Sequence, residues 1–356
     1  MSKQVQDAYI VAATRTPVGK APRGVLKHAR PDDMLAHVLK SALAQAPGLD
    51  PSVIDDVVVG CAMPEAEQGM NVARIGLLLA GFPNNVSGVT LNRFCSSGLQ
   101  AVANAADRIR LGEADVMIGA GTESMSMIPM GGNKIVANEQ IFSGDENIGI
   151  AYGMGITAEK VAGQWKVGRE AQDEFATESH RRALAAIEQG EFKQEITPYT
   201  LDERLPDFEL HQVVTRSKVI TRDEGPRVGT TREVLSKLRP AFAANGSVTA
   251  GNSSQTSDGA GAVILASEAV FGLIERHHKT RFRGVGFTIE GTCTGGCVNL
   301  NIVSEENLHQ ELCSGFVFGS KKVPLDRIFA SFSQCTLVEI PLVVQQFFPK
   351  FVDRLE

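Results

Sequence analysis

The sequence predicts an α/β fold, and three observations predict it. Short apolar runs of strand character alternate with stretches whose apolar residues recur at helical spacing. At 356 residues, 43% of them hydrophobic, the chain can bury a sizeable core and is expected to hold two or three domain-sized units. One strand-like run, residues 86–94, passes directly into a helical one.

In chain order, residues 8–13 (Ala-Tyr-Ile-Val-Ala-Ala) read as a strand. Residues 31–45 read as a helix with Leu35, Val38, Leu39, Ala42 and Leu43 on one face. A strand is expected within 53–61 and another over 86–94. A helix follows, in which Leu99, Val102, Ala103, Ala106 and Ile109 keep the helical period until Leu111-Gly112 closes it. Residues 116–121 form the next strand. From about 123 to 248 the texture changes: Met- and Gly-rich first, helical over 169–189, then polar and irregular around Pro198, Pro206 and Pro226. Residues 260–267 return to a core-strand pattern.

Composition excludes several roles. The formal net charge of −6, with no basic stripe to offset it, argues against a nucleic-acid partner. A polyanionic ligand would need local Arg or Lys residues and helix ends. No apolar run approaches the roughly 18 residues of a membrane span. Residues 1–6 lack the apolar core of a signal peptide and the Arg-rich character of a transit peptide. Six cysteines without a secretory signal point to reduced thiols and a cytoplasmic location.

The most informative stretch is Asn92-Arg93-Phe94-Cys95-Ser96-Ser97-Gly98-Leu99-Gln100-Ala101. It sets one cysteine where a strand becomes a helix. A thiol at a helix start meets unpaired backbone N–H groups and the positive end of the macrodipole, and both favour the reactive thiolate. The small residues around Cys95 leave room for a substrate. A free cysteine in an arbitrary chain is more often buried packing; the wider sequence decides between the two readings.

That wider sequence carries Ala13-Thr14-Arg15-Thr16-Pro17-Val18-Gly19 and Gln68-Gly69-Met70-Asn71-Val72-Ala73-Arg74. Gly119-Ala120-Gly121-Thr122-Glu123-Ser124-Met125-Ser126 and Met154-Gly155-Ile156-Thr157-Ala158-Glu159-Lys160-Val161-Ala162 follow. Then come Leu238-Arg239-Pro240-Ala241-Phe242, Val248-Thr249-Ala250-Gly251-Asn252-Ser253-Ser254 and Asp258-Gly259-Ala260-Gly261-Ala262. In this order, and up to about Ser267, they resemble the thiolase family, the acyl-CoA C-acyltransferases.

The resemblance implies two similar layered α/β/α halves packed back to back. Residues 1–122 and 249–279 would form the amino-terminal thiolase domain. Residues 123–248 would form a loop domain that covers the site and holds coenzyme A, and 280–356 an atypical carboxy-terminal segment. Cys95 would attack a 3-ketoacyl-CoA and carry the acyl group until coenzyme A collects it; the reverse reaction is a Claisen condensation. Met154 matches the methionine lining the acyl pocket, Ser254 the serine on the pantetheine arm, and Arg227 a basic residue near the nucleotide end. Gly153 stands where the family often has histidine, which tilts the substrate toward broader 3-ketoacyl-CoAs. Coenzyme A is a substrate here; no cofactor and no metal is expected. Acyl-CoAs are the expected partners, with no nucleic acid or membrane, and the chain is expected to be a homo-oligomer, dimer or tetramer.

After residue 268 the sequence departs from the family. The Asn-Glu-Ala-Phe segment, the Gly-His-Pro segment with its catalytic histidine and the late Cys-x-Gly-Gly segment are missing from their expected places. Residues 268–356 hold 10 of the 17 Phe and 4 of the 6 Cys but two Ala, Ala269 and Ala330. A frameshift, splice or fusion is the expectation, testable by reading the DNA across residues 260–300 in all frames. Cys293-Thr294-Gly295-Gly296-Cys297 resembles the late motif in letters but lies too early. With His277, His278 and His309 it lacks the paired spacing of a zinc site, so scattered surface residues are expected. Phe347-Phe348-Pro349-Lys350-Phe351 is expected to be exposed and to lower solubility. Three classes of function follow: a thiolase; a catalytically inactive thiolase-like protein that binds coenzyme A or pairs with other subunits; and a β-ketoacyl synthase relative, which the Cys95 context disfavours.

Overall fold

The computed structural model describes residues 5–144, 149–150 and 152–271, together with the backbone of strands 285–290 and 299–304. The cysteine, histidine and phenylalanine clusters of the tail lie outside the described residues. Its centre is one mixed sheet. Strand β1 (Ala8–Arg15) lies antiparallel to β8 (Ser257–Ser267), which is antiparallel to β5 (Val116–Ser124). Strands β5, β3 (Asp56–Gly60) and β4 (Ser87–Leu91) continue in parallel, so the order is β1-β8-β5-β3-β4, and the short β2 (Gly19–Lys20) pairs with β8.

Helices cover both faces, and the alternation of side chains shows how. Val57, Val59, Ile118, Ala120, Ala262, Ile264 and Ala266 enter one core, beneath helices α1 (Pro31–Ala44) and α2 (Val72–Ala80). Val58, Met117, Val263 and Leu265 point the other way, onto Ala101, Ala105, Ala106 and Ile109 of α3 (Ser97–Arg110). Strands buried on both faces read as continuous apolar runs, which is why they stand out in the sequence. A bulge between Ile10 and Ala12 inserts one residue into β1 and keeps both faces supplied.

The element boundaries differ from expectation where capping intervenes. Residues 51–53 form a short 3-10 turn, with the Asp50 side chain accepting the Ser52 N–H (2.9 Å), so β3 starts only at Asp56. The strand expected over 86–94 ends at Leu91, because the next residues turn. Helix α2, not anticipated, is capped by Asn71, whose Oδ1 accepts the Arg74 N–H (3.3 Å), and closes at Gly81 in the left-handed conformation.

Between β5 and β8 come α4 (Met154–Trp165), α5 (Arg169–Gln189), the hairpin β6 (Tyr199–Asp207) and β7 (Gln212–Ile220), and the short α6 (Arg232–Ser236). The hairpin replaces the irregular polar stretch that the sequence suggested. Tyr199, Leu201 and Ile220 at its base are buried, while its outer rungs face solvent on both sides and so lack an apolar alternation. Beyond β8, strands β9 (Val285–Glu290) and β10 (Asn299–Ser304) pair antiparallel.

A buried ionic clamp ties this inserted stretch to the sheet. The Arg15 guanidinium donates to both Asp223 oxygens (2.8 and 2.9 Å) and through Nε to Glu195 (2.7 Å). Burial alone would lower the Arg15 pKa, but the two carboxylates more than offset that and raise it. The Thr14 hydroxyl donates to the Glu195 carbonyl (3.0 Å), and the Val18 N–H to Asp223 (2.8 Å). The motif over residues 13–19 is therefore a docking device.

Candidate active site

Cys95 stands at the apex of the turn joining β4 to α3, and it is exposed. Side chains of the same motif build the turn. Asn92 Oδ1 accepts the Phe94 N–H (2.8 Å), and the Ser96 hydroxyl donates to the Arg93 carbonyl (2.9 Å). The Ser97 hydroxyl accepts the Arg93 N–H (2.8 Å) and donates to the Phe94 carbonyl (2.6 Å). Two backbone bonds, Ser96 N–H to Arg93 (3.2 Å) and Ser97 N–H to Phe94 (3.0 Å), close it. The first turn of α3 then rests directly on the end of β3, because Gly60 has no side chain to hold it away.

Cys95 thus lies at the carboxyl ends of the parallel strands, where open α/β sheets place their ligands. The neighbouring strand ends are filled by buried polar groups. Glu123, at the end of β5, accepts the Ala62 N–H (2.6 Å) and a short hydrogen bond from the Gln68 amide. Gln68 in turn accepts the Ser124 N–H (2.9 Å), and Asp258 accepts the hydroxyls of Ser124 (3.2 Å) and Ser126 (2.5 Å). Burial pushes the Glu123 carboxyl above its ordinary range. Cys61, 1% exposed, is pushed up to about 12 by burial, with the Glu123 charge adding to it. Of the two described cysteines, only Cys95 is accessible.

The other three sequence-predicted residues sit on the inserted stretch. Met154 opens α4 and is 38% exposed. Ser254 is exposed, and its hydroxyl donates to the Gln255 carbonyl (3.3 Å). Arg227 is exposed, and its backbone N–H is accepted by His180 Nδ1 of α5 (3.1 Å). One framework organises all three. Gly155, next to Met154, lies against the Phe242 ring, where any Cβ would collide. Glu159 of α4 accepts the backbone N–H groups of Ser247 (2.9 Å) and Val248 (2.9 Å). Asp173 of α5 accepts the Asn252 amide (2.9 Å), two residues before Ser254. The motifs over 154–162, 238–242 and 248–254, far apart in sequence, are one packed unit. Sequence reasoning missed His180 and Asp173, which belong to no local pattern of their own, and quoted Asn252 only as part of the 248–254 motif, without a role.

The family described as Thiolase, N-terminal domain, matches residues 8–269. The 3-ketoacyl-CoA thiolase of Bacillus subtilis (strain 168) is 48% identical over 263 residues, 73% of this chain and 66% of that protein. The peroxisomal 3-ketoacyl-CoA thiolase 5 of Arabidopsis thaliana is 39% identical over 336 residues, 90% of this chain and 72% of that protein. Nine-tenths of the chain cannot fit within residues 1–269, so this second alignment runs on into the segment where departure was expected. Among solved structures, the Bacillus anthracis acetyl-CoA acetyltransferase matches with a TM-score of 0.65 at 34% identity, over 82% of this chain and 72% of that one. The chain spans about two thirds of the length of the Bacillus subtilis relative. With the Cys95 turn, the covered sheet and the inserted stretch all inside the matched region, the chain belongs to the thiolase family.

Proposed function

We propose that the chain is a thiolase-type acyltransferase acting on 3-ketoacyl-CoA through an acyl-Cys95 intermediate. The observation that carries the reading is the Cys95 turn: an exposed thiol at a helix start, pinned by Asn92, Ser96 and Ser97. The Cys95 thiolate would add to the 3-carbonyl carbon. The bond between carbons 2 and 3 would then break and leave the acyl group on sulfur. The departing acetyl-CoA enolate takes a proton to become acetyl-CoA. Attack by the coenzyme A thiolate on the acyl-sulfur bond would release the shortened acyl-CoA and restore Cys95. Helix-start N–H groups suit the oxyanion formed in each step. In this reading Met154 borders the acyl chain, Ser254 the pantetheine arm and Arg227 the nucleotide phosphates, and the accessibility of all three supports it. Residues 123–248 would be the loop domain that holds coenzyme A.

A second reading rests on a specific observation: the sequence has no Gly-His-Pro segment to supply the base. The chain would then bind coenzyme A or pair with other subunits without turnover. Incubation with acetoacetyl-CoA, peptide mass mapping and a thiolysis assay separate the two, with Cys95→Ala as control. Acetylated Cys95 with turnover supports the enzyme. Acetylated Cys95 without turnover supports the second reading. A folded protein with neither turnover nor an acetylated Cys95 overturns the enzyme reading, and the second reading falls as well if that protein neither binds coenzyme A nor pairs with another thiolase subunit.

Homo-oligomerisation and a cytoplasmic location belong to the same proposal. The edge strand β4 leaves Val89 exposed, and Met70, Leu78, Leu79 and Phe94 are also exposed, an apolar set suited to a second copy. Cys61 and Cys95 stand outside disulfides, as a reducing compartment requires. Among the described residues no helix is long and apolar enough to cross a membrane. Light scattering on the purified protein and cell fractionation test these two points.

A further inference from the structure

The Cys95 turn holds a conformation that its own sequence resists. Phe94 has a φ of 46°, in the left-handed region that bulky side chains avoid. Its ring is 61% exposed, so burial of the side chain does not hold it there. The groups that close the turn must supply the constraint. Asn92 is exposed and Ser96 half-buried, so water competes for their hydrogen bonds. Ser97 differs on three counts. It is 3% exposed. Its hydroxyl is donor and acceptor at once, reaching the Phe94 carbonyl (2.6 Å) and the Arg93 N–H (2.8 Å). Its backbone also abuts Gly60, which anchors it to β3.

A single buried hydroxyl thus bridges the backbone on either side of the strained residue, from an anchor in the sheet. Strained conformations persist only where the surroundings over-determine them, and they cluster at functional sites. We propose that Ser97 is a positioning residue for Cys95: it holds Phe94 left-handed, and the sulfur is presented at the start of α3 as a consequence. This rests on the reading of Cys95 as the nucleophile, but its test needs no acyl-CoA.

The test is the rate of iodoacetamide alkylation of Cys95 in the full chain, followed by peptide mass mapping across a pH series. Ser97→Ala is expected to slow alkylation at neutral pH roughly tenfold, the scale of one or two lost hydrogen bonds. Ser97→Thr, which keeps the hydroxyl, is expected to retain most of the rate. Glycine takes positive φ freely, so Phe94→Gly combined with Ser97→Ala is expected to recover the rate. Phe94→Val, which leaves Ser97 intact and resists the left-handed region more strongly, is expected to slow it. This last variant keeps the idea testable should Ser97→Ala fail to fold. An equal effect of Ser97→Ala beside Phe94 and beside Gly, or equal rates for Phe94→Val and Phe94→Gly, would overturn the proposal. Failure of the nucleophile reading shows separately, as a Cys95 that alkylates but is never acetylated by acetoacetyl-CoA.

Discussion

Replacing Gly60 by alanine probes how the helix that follows Cys95 is seated. A Cβ at Gly60 would stand 2.3 Å from the carbonyl carbon of Ser97 and 2.5 Å from the Gly98 nitrogen. Ordinary contact begins near 3.4 Å, so the start of α3 must retreat by about 1 Å. The clashing atoms are backbone, and no side-chain rotation can relieve them. Overpacking of this kind costs about 1–3 kcal/mol, and the backbone contact puts this case at the upper end. For a domain of this size that lowers Tm by roughly 5–10 °C. The functional effect should be larger, because a shift of about 1 Å at reacting groups can cost on the order of a hundredfold. Thermal melts, Cys95 alkylation and thiolysis would be read together. Gly98→Ala is the control: nothing lies within 4 Å of its would-be Cβ. In a helix this change should be neutral or stabilise by up to about 1 kcal/mol. A Gly60→Ala protein with unchanged Tm and Cys95 reactivity would refute the seating argument, and so would equal damage from Gly98→Ala.

Three further outcomes are expected. With Cys61 pushed up to about 12 by burial and Cys95 exposed, alkylation of the native protein at mildly alkaline pH should label Cys95 and spare Cys61 until denaturant is added; native labelling of Cys61 at a comparable rate contradicts this. Arg15→Ala removes the guanidinium from between the fully buried Glu195 and the largely buried Asp223, and should cost about 3–5 kcal/mol in denaturant titrations. Arg15→Lys should recover only part of it, lacking the planar fork that serves both carboxylates; a loss below about 1 kcal/mol for Arg15→Ala would show the clamp to be idle. Burial, the leading cause for both, lowers the pKa of His37, beside the Thr197 hydroxyl, and of His180, beside Arg227. An imidazole depressed in the folded state takes its proton later than in the unfolded chain. Its contribution is therefore intact above the unfolded value of about 6.5 and is lost as pH falls through the folded one. Denaturation midpoints should drop over that window and drop less in His37→Asn; a midpoint with the same pH slope in both proteins removes His37 from the account.

Much of this molecule was legible in its residues. Strands β1, β3, β5 and β8 are apolar runs buried on both faces, and α1 and α3 carry apolar stripes, because each of these elements packs against the core along its whole length. Residues 92–101 marked Cys95 for the same local reason: a strand's end, small residues and a helix's start are contiguous in sequence. Helix α2 and the hairpin β6–β7 were less visible. The hairpin buries only its base, so solvent on both faces erases the period that burial would impose. What only the tertiary structure decided is how separated segments meet. Asn252 reaches Asp173, Arg227 rests on His180, Arg15 joins Glu195 to Asp223, and Gly60 lies under Ser97. A hydrogen bond or a close contact constrains two residues at once, and neither leaves a local periodicity. Sequence by itself therefore determined the core strands, helices α1 and α3 and the place of Cys95 between a strand and a helix, through short-range pattern. The fold alone fixed how the loop segments and the Cys95 turn are held, because those contacts depend on distances through space.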